Sequence, residues 1–151
     1  MSELKARLRN DLNTAMKARD ELTTATLRMT LTAITTEEVA GKQARELADD
    51  EVLRVITRES KKRREAAEAF DAAGRVELAE RERNEGGVLD RYLPAQLGDD
   101  ELTGLVTAAV AEAGASTPRD MGAVMKIVQP KVAGRADGKR VSDEVRRQLA
   151  G

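Results

Sequence analysis

The chain has no cysteine, no histidine and no tryptophan, and its only aromatic residues are Phe70 and Tyr92. Without thiols there is no disulfide, no cysteine nucleophile and no cysteine-based zinc site. Without imidazole there is no Ser-His-Asp triad and no histidine general base. Two aromatics cannot supply the stacking platforms that grip single-stranded RNA, so the core is expected to be aliphatic. Long apolar runs are also missing. The least polar stretch, residues 105–111, falls far short of the ~20 residues that span a bilayer. The opening Met1-Ser2-Glu3-Leu4-Lys5 is charged where a signal peptide would be apolar. A soluble, cytoplasmic protein with no membrane contact is the expectation. Arginine exceeds lysine by 18 to 8 and alanine is abundant, the composition of a GC-rich bacterial genome.

What the sequence does have is charge and helical periodicity. Charged residues make up 35% of its 151 residues, yet the formal net charge is only -1, which excludes a disordered tail of one sign. Leu4, Leu8 and Leu12 recur every fourth residue, with Ala15 and Met16 extending the stripe. Leu27, Leu31 and Ile34 define a second helix that ends near Gly41. Asp49, Asp50 and Glu51 supply the cap and negative first turn of a third, which carries Val52, Val55, Ile56, Ala66 and Phe70 and stops at Gly74. A charged fourth helix runs from about Arg75 to Leu93, with a kink or break expected at Gly86-Gly87, since each helical glycine costs about 0.8–1 kcal/mol. The methionines at 16, 29, 121 and 125 fall among core-spaced aliphatics and are expected to pack.

Pro94 marks the best internal boundary, because the residue before a proline is pushed away from helical geometry. Asp99-Asp100-Glu101 open a fifth helix that Gly114 closes. Thr117-Pro118-Arg119-Asp120 form a capped start for a sixth, which Pro130 ends or kinks. Residues 132–142 read as a loop, and Ser142 as the cap of a seventh helix bearing Val145 and Leu149. No strand pattern competes. The expected fold is all-α and multihelical, with an N-terminal helical subdomain over 1–94 and a C-terminal three-helix subdomain over 95–151.

Charge is unevenly placed along the chain. Residues 96–118 contain four acidic side chains and no basic one, whereas residues 119–151 contain eight basic and four acidic, a net of +4. Within that segment, Gly134-Arg135-Ala136-Asp137-Gly138-Lys139-Arg140 invites comparison with a phosphate loop. The glycines are one residue too close, Arg140 stands where Ser or Thr is needed, and no strand precedes, so a nucleotide site is rejected. Convergent backbone N–H groups holding an anion, or a tight turn with solvated charges, both remain open, with the turn preferred. Lys61-Lys62-Arg63-Arg64 reads as a solvated helix surface paired with Glu59, Glu65 and Glu68. Glu77, Glu80, Glu82 and Glu85 read as surface ion pairs. No catalytic residue, metal site or cofactor is implied.

Leu27-Arg28-Met29, Glu59-Ser60-Lys61-Lys62-Arg63, Phe70 with Gly74-Arg75, Tyr92-Leu93-Pro94-Ala95-Gln96-Leu97, Asp120-Met121-Gly122-Ala123-Val124-Met125 and Gly134-Arg135-Ala136-Asp137-Gly138 occur in order. Together they resemble the GatB/YqeY family, specifically its stand-alone YqeY-like proteins. The resemblance implies an all-helical fold in two subdomains, related to the tail of the B subunit of aspartyl/glutamyl-tRNA amidotransferase, which contacts tRNA. It also carries a carbon–nitrogen ligase label with glutamine as amido donor, but this chain has no segment like the ATP-using cradle of that enzyme and no amidase Ser–Lys signature.

The expected function is therefore a non-catalytic tRNA- or RNA-binding accessory module. A protein-interaction module and a component of amidotransferase activity are the alternatives. The RNA contacts are expected at Lys126, Lys131, Arg135, Lys139 and Arg140, from the net +4 of their segment and from the resemblance.

Overall fold

The computed structural model describes residues 2–150. Among them are seven α-helices and one short 3-10 turn, with no strand, so the all-α expectation holds. No helix among the described residues is long and apolar enough to cross a membrane. The helices are α1 (Glu3–Lys17), α2 (Glu21–Val39), α3 (Asp49–Ala72), α4 (Val76–Asp90), α5 (Asp99–Ala113), α6 (Met121–Val132) and α7 (Gly138–Ala150). They form two compact units, one ending at Leu93 and the next beginning at Pro94.

In the N-terminal unit, α1 to α4 pack around Leu8, Leu27, Ile34, Val52, Ile56, Val88 and Leu89, all almost wholly buried. Burying each such side chain contributes about 1.5–3 kcal/mol. The helix starts show why the chain folds here. Ser2 caps α1 by accepting from the Lys5 backbone N–H at 3.1 Å. Asp20 caps α2, accepting from Thr23 N–H at 3.1 Å. Asp49 lies inside the first turn of α3, behind Ala48, and its carboxylate turns to α1, accepting from the Ser2 hydroxyl and the Leu4 N–H. Glu51 reaches back to the Ala48 N–H and pairs with Arg45. Gly74, at φ +74°, provides the left-handed residue that stops α3.

Several expectations are corrected. α4 runs unbroken through Gly86-Gly87. A Cβ at position 86 would lie 4.0 Å from the Arg63 Cβ, so the glycine sits where α4 passes close to α3. Met16 and Met29 are not core residues; they are 46% and 53% exposed, and their sulfurs accept from Arg28 and Arg63 respectively. Arg63 itself is no surface cation. It is 4% exposed, with its guanidinium against the buried carboxylates of Glu59 (3.8 Å) and Glu85 (3.3 Å). Glu85 is therefore also removed from the surface set.

The C-terminal unit has its own core of Leu97, Leu102, Val106, Val124, Val128, Val141, Val145 and Leu149. Thr117 and Asp120 form the expected cap ahead of α6, through the 3-10 turn Pro118–Asp120. Pro130 sits inside α6, two residues before its end, and is exposed, so the helix continues through it. α7 starts at Gly138, five residues earlier than a Ser142 cap requires. Ser142 instead donates back to the Lys139 carbonyl at 3.1 Å. The loop between α6 and α7 shrinks to residues 133–137.

Candidate nucleic-acid interface

The basic segment of the C-terminal unit folds back on the acidic one. Lys131 Nζ lies 3.7 Å from Glu112, Arg135 Nη2 lies 3.7 Å from Glu101, and Arg140 Nη2 lies 2.6 Å from Asp99. All three carboxylates belong to α5. Residues 96–118 contribute -4 and residues 119–151 contribute +4, so the two segments sum to zero once they share one unit. The local positive excess read from the sequence is thus largely cancelled at the surface where it was placed.

Two of the expected contacts serve the backbone as well. Arg140 Nη1 donates to the Leu97 carbonyl at 2.7 Å, and Arg135 Nε to the Ala95 carbonyl at 3.2 Å. The Leu97 N–H donates to the Arg135 carbonyl at 2.8 Å, and Gln96 Nε2 to the Gly134 carbonyl at 3.0 Å. Residues 95–97 are thereby fastened to the loop between α6 and α7. Gly134, at φ +72°, makes that turn possible. Two of the loop's N–H groups, and one in the first turn of α7, are engaged at home. Those of Arg135 and Ala136 donate to the Val132 carbonyl at 2.8 and 3.2 Å, and that of Lys139 to Asp137 at 3.2 Å. This is a hydrogen-bonded turn with a carboxylate already at the start of α7, which supports the turn reading over the anion cradle.

A shallow cleft of about 390 Å³ adjoins the turn, lined by four carboxylates (Asp99, Asp137, Asp143, Glu144) and three cations (Lys139, Arg140, Arg147). Its balance does not select a polyanion. Glu144 is held below the ordinary carboxylate pKa, first by the hydrogen bond from Arg147. Asp120 is held low by the Ser116 and Thr117 backbone N–H groups, at 2.9 and 3.2 Å. The aspartate of the Asp-Met-Gly block is thus a capping residue.

The model of the family described as Yqey-like protein matches residues 5–149. The chain belongs to the YqeY-like family. A relative in Schizosaccharomyces pombe, named only as uncharacterized protein C22F3.15, is 37% identical over 92 residues, 60% of this chain and 72% of that protein. The match to the YqeY-like model takes in both units, so the turn and the α5 carboxylates lie inside the shared region.

Lys126 and Lys139 are exposed, and neither pairs with a carboxylate of the described residues. Arg119, which the sequence reading did not select, is likewise exposed and unpaired. It lies in the 3-10 turn Pro118–Asp120 that precedes α6, the helix that carries Lys126. No spacing in the sequence singles it out; it emerges only when the cations with an acidic partner across the unit are set aside.

Proposed function

We propose that this YqeY-like chain is a non-catalytic accessory module that binds a folded RNA, with tRNA as the ligand suggested by its resemblance to the amidotransferase tail. The observation that carries the reading is the set of exposed, unpaired cations Arg119, Lys126 and Lys139 in a unit whose other candidate cations are held by α5. With two aromatic residues in the chain, such binding reads phosphates and shape rather than stacked bases. Few free cations make it weak alone, which suits a module that positions RNA for a partner enzyme.

The test is a low-salt titration of folded tRNA against the wild type, against Lys126→Gln with Lys139→Gln, and against Arg135→Ala with Arg140→Ala. The lysine pair is expected to weaken binding with unchanged stability, and the arginine pair to lower stability first. No binding by the wild type would overturn the proposal. A parallel assay with misacylated tRNA, glutamine and ATP is expected to give no turnover by the chain alone. Turnover abolished by a substitution in this chain would favour the amidotransferase alternative.

A further inference from the structure

With no cysteine, histidine or tryptophan, the chain leaves methionine as its side chain most open to two-electron oxidation by a peroxide, and it has five. Met121 and Met125 are partly buried against the C-terminal core. Met16 and Met29 are 46% and 53% exposed. Each of these two faces a guanidinium: Arg28 Nη2 donates to the Met16 sulfur and Arg63 Nη2 to the Met29 sulfur, both at 3.7 Å.

The two arginines differ. Arg28 is exposed, so water completes its hydrogen bonding. Arg63 is 4% exposed and depends on the acceptors the protein offers. Its Nη1 donates to the Glu59 carbonyl of its own helix at 3.1 Å. Its Nε lies 3.3 Å from Glu85 Oε2 but off the hydrogen-bonding direction, without an acceptor. Nη2 is spent on a thioether, a weak acceptor. A buried cation in that state leaves part of its desolvation cost unrecovered. Met29 also lines, with Glu59 of α3, a shallow groove of about 360 Å³ that admits a small oxidant.

We propose that Met29 is a site of reversible oxidation by hydrogen peroxide, and that Arg63 holds the product. A sulfur lone pair attacks one peroxide oxygen, and the S–O bond forms as the O–O bond breaks. The departing hydroxide takes the proton left on the transferred oxygen and leaves as water. Sulfur gives up two electrons and the peroxide gains them. The sulfoxide oxygen is a polar acceptor on a side chain with three rotatable bonds, and it turns onto Nη2 in a charge-assisted hydrogen bond. A sulfoxide ordinarily loosens the structure around it. At position 29 it ties α2 to the buried cation of α3, so oxidation strengthens the contact. At position 16 the arginine is already served by water, and oxidation has no such effect.

The test adds dilute hydrogen peroxide to the full chain carrying Met16→Leu until a single oxygen is gained, with its position read by peptide mass spectrometry. Met29 is expected to be oxidised before Met121 and Met125, and the melting temperature of the Met29-oxidised chain to rise by about 2–4 °C. A methionine sulfoxide reductase is expected to return both mass and melting temperature to their starting values. The chain carrying Met16→Leu with Met29→Leu is expected to show no rise under the same treatment. Without oxidant, Met29→Gln, whose amide oxygen stands in for the sulfoxide, is expected to melt above Met29→Leu. Oxidation of Met29 no faster than Met121 and Met125 overturns the proposal. So does a Met29 sulfoxide that leaves the melting temperature unchanged or lowers it, or a Met29→Gln chain that melts no higher than Met29→Leu.

Discussion

Arg140 donates to the Leu97 carbonyl at 2.7 Å while its second nitrogen meets Asp99 at 2.6 Å, so one side chain holds both the backbone entering α5 and the first residue of that helix. A charged donor to a backbone acceptor is worth more than a surface ion pair, but this guanidinium is about one-third exposed. Arg140→Ala is expected to destabilise the protein by about 1–2 kcal/mol in urea unfolding. Lys139→Ala, one residue away and unpaired, is expected to stay within about 0.5 kcal/mol.

Arg63 has no solvent to fall back on. Removing it leaves Glu59 and Glu85, each 8% exposed, facing one another without their central cation. Arg63→Ala is expected to cost about 3–5 kcal/mol. Replacing the cluster with Met at 63 and Leu at 59 and 85 is expected to recover most of that loss, because apolar groups of similar volume need no desolvation of charge. A single Arg63→Ala loss under about 1 kcal/mol, the scale of a surface ion pair, would show the cluster to be solvated.

Acid sensitivity follows from depressed carboxylates. Glu38 accepts from buried Lys5 at 2.6 Å and from the Leu47 N–H at 3.1 Å, and the Lys5 hydrogen bond is the main cause holding its pKa below the ordinary 4.5. Glu51 is pulled down to about 2, chiefly by Arg45. A carboxylate whose folded pKa is lowered stabilises the fold fully above its unfolded value and loses that contribution as pH falls through the folded one. Thermal melts are therefore expected to be flat near neutrality and to drop from about pH 4.5 downward. Glu38→Gln is expected to start lower at pH 7 and to fall less.

Arg19 joins α1 to α2 at φ +55°, the one non-glycine residue with positive φ among those described. Its neighbour Asp20 donates its N–H to the Ala15 carbonyl at 2.9 Å, closing a left-handed helix end. A left-handed residue with a Cβ costs roughly 1–2 kcal/mol, partly offset in glycine by greater unfolded-state freedom. Arg19→Gly is expected to raise stability by up to about 1 kcal/mol, whereas Arg19→Val is expected to lower it.

The helices were legible because their signals are local: Leu4 and Leu8 at four-residue spacing, the cap at Thr117 and Asp120, the stops at Gly74 and Gly114. The buried Arg63 was legible in principle, since Val52, Ile56, Glu59, Arg63 and Ala67 keep one stripe of α3 in register through two charged residues. Reading residues 61–64 as a run hid that register. The ion pairing of the candidate contacts was hidden for a non-local reason. Glu101 and Arg135 are 34 positions apart, and only the packing of α5 on α6 and α7 shows that their charges cancel. Met29 was misread because its spacing marks a face, and spacing alone does not say whether that face meets a neighbouring helix.

The central claim is that RNA is held by the cations α5 leaves free, and the salt dependence of tRNA binding tests it most directly. Each phosphate contact adds about 0.7–0.9 to the slope of log affinity against log salt. Substituting Lys126 and Lys139 by Gln is predicted to flatten that slope by about 1.4–1.8 while thermal stability stays unchanged. A slope that the lysine pair leaves unchanged, or an affinity for tRNA that does not fall with salt at all, would contradict the account.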